Sequence, residues 1–261
     1  MLLAVDVGNT QTVVGLYSGS DLRYRWRIAT NKLDTSDELR MRLRQLLDCE
    51  GVDVGALDGV CLASVVPALT LAWKAAVHYM LGKEALVCSA ATAGELFEAD
   101  YPNPAEIGAD RVADAVAARA LYGAPVVVVD FGTATNIEVV DRDGRFVGGV
   151  IAPGLETSAF ALFSRAVKLS AVDLEDPGCA IGRNSAQAMQ VGIVYGEADR
   201  VDGLVGRIFD QLGYEAPVVA TGGLATRVAP YSRTIQATNP TLTLEGLRLV
   251  YERHAPSRSA H

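Results

Sequence analysis

AVDVGNTQTVVGL, residues 4–16, runs as an apolar strand, breaks at Asp6-Val7-Gly8-Asn9-Thr10 and resumes as a strand. VVDFGTATNIEVV, residues 128–140, does the same around Asp130-Phe131-Gly132-Thr133. Setting Asp6 on Asp130 also sets Gly8 on Gly132, Asn9 on Thr133, Val13 on Ile137 and Val14 on Glu138, so the chain reads as an internal repeat. Two Val-rich strands share apolar letters by chance. A shared Asp-x-Gly is harder to obtain that way.

The bend has a definite chemistry. A glycine there lets the backbone take positive φ and lets a ligand reach amide N–H groups that a side chain would block. Asn9 and Thr10 add neutral hydrogen-bonding groups, which together make a nest-type phosphate cradle. The aspartate at the strand end suits Mg²⁺, held directly or through water. One such bend is most simply a tight turn with an Asx hydrogen bond. Two of them, with ATGGLAT at 220–226 following a predicted strand, point instead to a nucleotide.

Outward from the first bend, residues 2–7, 12–17 and 22–28 read as strands, the last two joined by the turn Ser18-Gly19-Ser20-Asp21. A helix follows within 34–51, opened by a Thr35/Glu38 capping box and striped by Leu39, Leu43, Leu46 and Leu47. A strand over 58–67 ends at Pro67, a helix striped by Leu69, Trp73, Val77 and Met80 runs to about 81, and 85–88 is a short strand. The second half restarts this order: strands at 124–132 and 135–140, a turn at 141–144, a strand at 145–151, helices near 155–168 and 184–212, a strand at 216–221 and a helix over 242–253. The loop 170–184 is long and polar, equally suited to shaping a pocket or to connecting elements at the surface.

The bulk numbers narrow the function. With 261 residues, half of them hydrophobic, the chain can build two domains of ordinary size. A net charge of −8 and scattered basic residues argue against a nucleic-acid partner. The apolar runs are too short to span a bilayer and no basic leader opens the chain, so no membrane is expected and a cytoplasmic location is. Cys49, Cys61, Cys88 and Cys179 lie far apart and read as buried free thiols. Three histidines leave little for a His-based site, so catalysis must lean on carboxylates.

Paired Asp-x-Gly bends with a Gly-Gly turn resemble the actin, Hsp70 and sugar-kinase superfamily. Within it, DVGNT (6–10), SVVP (64–67), YPNPAEIGADR (101–111), DFGTAT (130–135), GGVIAPGL (148–155), IGRNSAQAMQVG (181–192) and LTLEGLRLVYER (242–253) resemble type III pantothenate kinases. The resemblance implies an α/β fold of two similar actin-like (ribonuclease H-like) domains, each a mixed sheet flanked by helices, with a cleft between. The domains would be 1–118 and 119–261, the helix at 242–253 packing back on the first. It implies transfer of the ATP γ-phosphoryl group to the primary hydroxyl of pantothenate, giving 4'-phosphopantothenate, the first step of coenzyme A synthesis. Mg²⁺, a monovalent cation (K⁺ or NH₄⁺) and a homodimer are implied with it.

Carried over by position, Asp6, Val7, Gly8, Asn9, Thr10, Gln11, Thr12 and Val13 would line ATP, with Thr133 as the matching contact on the second bend. Asp6 would stand near Mg²⁺ and Asp130 would hold the monovalent cation. Tyr101, Gly108, Ala109, Asp110, Arg111 and Ser185 would bind pantothenate, with Asp110 as the catalytic base. Ser185 and Asn239 stand where relatives carry threonine and an acidic residue. Asp110 lies near the start of the predicted helix EIGADRVADAVAARAL, whose positive end would keep it ionised, while Arg111 offers a forked donor for a carboxylate. By residue type alone, Glu106 and Asp114 compete for the base role, Asp130 suits Mg²⁺ as well as K⁺, and Asp110 with Arg111 could be an ordinary surface ion pair.

Overall fold

The computed structural model describes residues 1–165 and 170–254. In chain order they form β1 (Leu2–Val7), β2 (Gln11–Ser18), β3 (Asp21–Ala29), α1 (Ser36–Cys49), β4 (Gly59–Ser64), α2 (Pro67–Leu81), β5 (Leu86–Val87), α3 (Ala90–Ala93), β6 (Glu98–Ala99) and α4 (Ala109–Tyr122). Then come β7 (Val126–Phe131), β8 (Ala134–Val140), β9 (Arg145–Pro153), α5 (Leu155–Arg165), α6 (Ser185–Gln190), α7 (Gly196–Leu212), β10 (Val218–Thr221), α8 (Ala225–Val228), β11 (Ala237–Thr238) and α9 (Leu242–His254). Contacts divide the chain into two compact units. One holds Met1–Ala117 and the chain from Leu242 onward; the other holds Ala118–Thr241.

In the first unit the strand order is β3-β2-β1-β4-β5, with β1, β2 and β3 antiparallel and β4 and β5 joining β1 in parallel. Alternation along the strands sends Leu3, Val5, Val7, Val14, Leu16 and Leu62 to one face, where they share a core with Leu39, Leu43 and Leu47 of α1 and Leu69, Trp73 and Val77 of α2. The Thr35/Glu38 capping box fixes where α1 starts. Pro67 supplies the rigid first turn of α2, and Gly82, left-handed at φ 64°, ends it. The opposite face receives α9. A methyl group at Gly15 would lie 2.9 Å from Leu244 Cδ1, and one at Gly246 would strike the backbone of Ala113, so α9 packs at close range on both β2 and α4.

The second unit repeats this sheet. Its strands run β11-β10-β7-β8-β9, antiparallel through β7, β8 and β9 and parallel through β7, β10 and β11. Val127, Val129, Phe131, Ile137, Val218 and Ala220 form its core with Leu155, Met189, Val201 and Val205 of the covering helices. The helix expected over 184–212 is α6 and α7 fused through one π-helical stretch, Val191–Tyr195. The helix expected near 155–168 is described to Arg165, and the rest of it lies outside the described residues.

One expectation fails at the thiols. Cys61 and Cys88 are buried, but Cys49 is exposed and Cys179 half-exposed. Cys49 ends α1 beyond the buried stripe that closes with Leu47. Among the described residues no helix is long and apolar enough to cross a membrane.

Candidate active site

A single row of side chains crosses each sheet on the face turned away from the helices that cover the core. In the first sheet, register sets Arg27 opposite Val13, Val13 opposite Asp6, and Asp6 beside Ala63. The next step in register is Cys88, just past β5, whose N–H donates to the Leu62 carbonyl at 2.8 Å. In the second sheet the row is Ile151, Asn136, Asp130 and Thr221. It ends at Asn239, whose N–H donates to the Ala220 carbonyl at 2.8 Å. The two aspartates occupy the same place in the same architecture.

The register corrects the ungapped repeat. Gly8-Asn9-Thr10 connects β1 to β2, whereas Gly132-Thr133 alone connects β7 to β8. Because antiparallel pairing counts outward from the turn, losing one residue shifts everything after it. Val13 therefore corresponds to Asn136 and Val14 to Ile137.

The glycines also act differently from expectation. Neither Gly8 nor Gly132 has positive φ. Gly8 is needed for space, since a Cβ there would sit 2.9 Å from the Gln11 carbonyl oxygen that its own N–H meets at 3.1 Å. At Gly132 the nearest atom would be 3.5 Å away, an ordinary contact, so its small size leaves the backbone open to an incoming group. The left-handed glycine is Gly222, φ 91°, where any side chain would fall on the Asp130 carboxylate and the Phe131 carbonyl.

At the first bend, Asn9, Thr10 and Gln11 are exposed and Asp6, Gly8 and Val13 are half-exposed. Thr30 N–H donates to the Thr10 carbonyl at 2.9 Å and pins the tip. Val7 and Thr12 turn to the core face, Thr12 with its hydroxyl 2.9 Å from that of Thr30, so these two offer a ligand only their backbone. Asp110 stands in the first turn of α4, and its Oδ1 accepts the Arg111 N–H at 2.8 Å. Gly108 lies against this carboxylate, for a Cβ there would be 2.6 Å from Asp110 Oδ1. The Cys88 thiol reaches the Ala109 carbonyl at 3.6 Å, tying the start of α4 to the end of the row.

The electrostatics locate the carboxylates. The Cys88 thiol is pushed up to about 12, first by burial and then by the charges of Asp110, Asp6 and Asp114, so all three bear on one point. Asp110 itself is raised above the ordinary aspartate value. Burial is the dominant cause, offset in part by the Arg111 N–H and guanidinium. Burial thus works against the ionising effect expected of the helix end. Tyr101 is half-exposed between β6 and α4.

At the second bend, Thr133 is exposed, and its carbonyl accepts from Gly154 N–H at 3.1 Å and Thr157 Oγ1 at 2.6 Å. Behind it lies a buried latch that the sequence does not announce. Thr135 Oγ1 donates to Glu197 Oε1 at 2.6 Å, Glu197 pairs with Arg200, and Arg200 donates to the Pro153 carbonyl at 2.6 Å. In the sequence GEADR, Glu197 and Arg200 look like a surface (i, i+3) pair; only long-range packing buries Glu197 and leaves Arg200 half-buried.

Asp130 is flanked across the sheet by Thr221 and Asn136, and the Asn136 Oδ1 is buried without a hydrogen-bond partner among the described residues. One carboxylate beside neutral oxygens fits a singly charged, oxygen-seeking cation. No group of three His, Cys, Asp or Glu able to hold a metal occurs among the described residues. A Mg²⁺ ion here would therefore be carried mainly by phosphates. Ser185 is exposed at the first position of α6, which Asn184 caps by accepting the Gln187 N–H at 2.9 Å. Asp173 to Asp176 of the polar loop line an open groove of about 440 Å³ with Thr226, Arg227 and Tyr231.

Residues 2–207 match the family described as type III pantothenate kinase. The chain belongs to that family. It is 44% identical over 254 residues to the type III pantothenate kinase of Moorella thermoacetica, covering 97% of this chain and all of that one. It is 46% identical over 254 residues to that of Thermomicrobium roseum, covering 97% of each. In fold it is similar to the ROK hexokinase of Thermus thermophilus, with a TM-score of 0.51, 14% identity and coverage of 97% and 98%. The repeated sheet of this type III pantothenate kinase is thus similar in fold to that of a sugar kinase.

Proposed function

We propose that this pantothenate kinase transfers the γ-phosphoryl group of ATP to the primary hydroxyl of pantothenate with Asp110 as the base. The observation that carries the reading is that Cys88, the next register step after Ala63 beside Asp6, meets the Ala109 carbonyl at 3.6 Å, next to Asp110. Within one unit, a proton acceptor and the carboxylate of a phosphate bend share one neighbourhood. Phosphoryl transfer asks the protein mainly for positioning and charge stabilisation, plus a group to take the alcohol proton. A carboxylate raised by burial takes that proton more readily than an ordinary surface aspartate.

In this reading the amides of Gly8, Asn9 and Thr10 hold phosphate oxygens, and Asp6 holds Mg²⁺ directly or through water. Thr133 contacts phosphate from the second bend. Mg²⁺ would supply charge neutralisation on the phosphates. Arg111 pairs with the carboxylate of pantothenate, and Tyr101, Gly108, Ala109 and Ser185 shape its site. Asp130, with Thr221 and Asn136, holds K⁺ or NH₄⁺. A homodimer and a cytoplasmic location belong to the same reading.

An assay coupling ADP formation to added pantothenate tests the assignment. Asp110→Asn is expected to lower kcat by roughly 10²–10⁴-fold with the KM for ATP little changed. Full turnover by this variant would remove the mechanism while leaving the substrate assignment standing.

A further inference from the structure

We infer that Arg27 is a phosphate-binding cation of the ATP site, acting from β3 on the polyphosphate that the first bend holds. The inference rests on the reading that ATP phosphates lie at Gly8 to Thr10, and it adds a residue that neither the bend motif nor the carried-over site contains.

Three observations carry it. The first is register: Arg27 faces Val13 and Val13 faces Asp6, so Arg27 and Asp6 project from the same face of the sheet in one row. Their backbones are two strand spacings apart, about 10 Å, a gap that a long arginine side chain largely covers. The second is cover. α9 closes this face one pleat away, at Gly15 under Leu244, while Asp6 and Val13 stay half-exposed and Arg27 exposed. The third is charge. Asp6, Asp110 and Asp114 gather near the row, and the bend itself carries only neutral Asn9, Thr10 and Gln11. A polyphosphate brought there meets three carboxylates and needs cations. Arg27 makes no hydrogen bond or ion pair among the described residues, so its guanidinium is uncommitted.

Sequence reading treats the basic residues as scattered, yet Arg23, Arg25 and Arg27 alternate along β3. Arginines on an edge strand also serve to repel strand-to-strand aggregation. That role would make the three positions interchangeable; phosphate binding makes Arg27 unique, because only it shares the row with Asp6.

The test compares Arg27→Gln, Arg27→Lys, Arg23→Gln and Asp6→Asn by steady-state kinetics and by calorimetric titration with ATP and with adenosine. Arg27→Gln should weaken ATP binding about tenfold, the scale of a charge-assisted hydrogen bond, with adenosine binding, the KM for pantothenate and Tm unmoved. Arg27→Lys should recover part of the loss, and Arg23→Gln should match the parent chain. Equal ATP affinities for Arg27→Gln and Arg23→Gln overturn the inference. If Asp6→Asn weakens ATP and Arg27→Gln does not, Arg27 alone loses its role. Unchanged ATP binding and turnover in Asp6→Asn would instead remove the bend as the phosphate site, and the inference with it.

Discussion

The two sheets carry the same row built to different ends. In the first, Asp6 stands between Val13 and Ala63, with Arg27 at one end and Cys88, near Asp110 and Asp114, at the other. In the second, Asp130 stands between Asn136 and Thr221, with Ile151 and Asn239 beyond. The first row is apolar beside its aspartate, with a cation at one end and a neutral thiol near two further carboxylates at the other; the second is lined with neutral oxygens beside its aspartate. A duplicated backbone bend therefore does not mean a duplicated role. In the proposed function the neighbours separate the two: Asp6 goes with phosphate and divalent-ion chemistry, and Asp130 with a singly charged cation.

The support behind the rows differs as much. The first bend is fastened through backbone, Thr30 N–H to the Thr10 carbonyl, whereas the second is fastened by a charge pair whose carboxylate is buried and whose guanidinium is half-buried. Breaking that pair should produce the largest change in stability. Glu197→Ala leaves the Thr135 hydroxyl and the half-buried Arg200 without their carboxylate partner and should cost about 2–3 kcal/mol, read by denaturant unfolding. Hydrogen exchange should accelerate in β8 and β9 and stay unchanged in β1 and β2; uniform acceleration would deny the independence of the two fastenings.

Next in size is the loss of Asp202. Its carboxylate accepts from Ser232 Oγ at 2.6 Å, Thr234 Oγ1 at 2.8 Å and the N–H groups of Arg233 and Thr234. Burial by itself would raise this carboxyl, but those donors pull it down to about 2. A depressed carboxyl contributes stability above its unfolded value and loses that contribution as pH falls through about 2. Asp202→Asn should therefore cost about 1–3 kcal/mol at pH 7, and the difference from the parent should narrow below pH 3.9. A pH-independent difference would assign the loss to packing.

A smaller effect sharpens the contrast between the rows. Asn136→Ala removes the orphaned oxygen beside Asp130, and the half-saturating K⁺ concentration for turnover should rise severalfold, on the order of 1 kcal/mol of cation binding. The equivalent change in the first row, Val13→Ala, should leave the K⁺ dependence untouched. In the proposed mechanism Asp110 sets the pH dependence of catalysis. With its pKa raised, the acid limb of kcat/KM should fall above the ordinary aspartate value of about 3.9, activity being lost as the base is protonated.

Much of this was legible in the sequence because the repeat is written in local signals. Alternating apolar letters, the Thr35/Glu38 box and Pro67 mark their elements without help from the rest of the chain. The bends were legible as a pair, but not the one-residue difference between them, because a register shift is fixed by cross-strand bonding that ungapped letters do not record. Glu197, Cys88 and Arg27 were missed for a common reason. Each acquires its meaning from a strand or helix distant in sequence, and in its own neighbourhood each is an ordinary helix charge, thiol or edge-strand cation. The burial that raises Asp110 was hidden for the same reason, since burial is a property of what packs around α4 and the dipole only of α4 itself.

Cation and nucleotide titrations of turnover, run side by side on Asp6→Asn and Asp130→Asn, test most directly that the twin bends have divided the work. The account predicts that Asp130→Asn shifts the K⁺ response while leaving the Mg²⁺-ATP response near that of the parent, and that Asp6→Asn does the reverse. Both variants moving both responses together would contradict it.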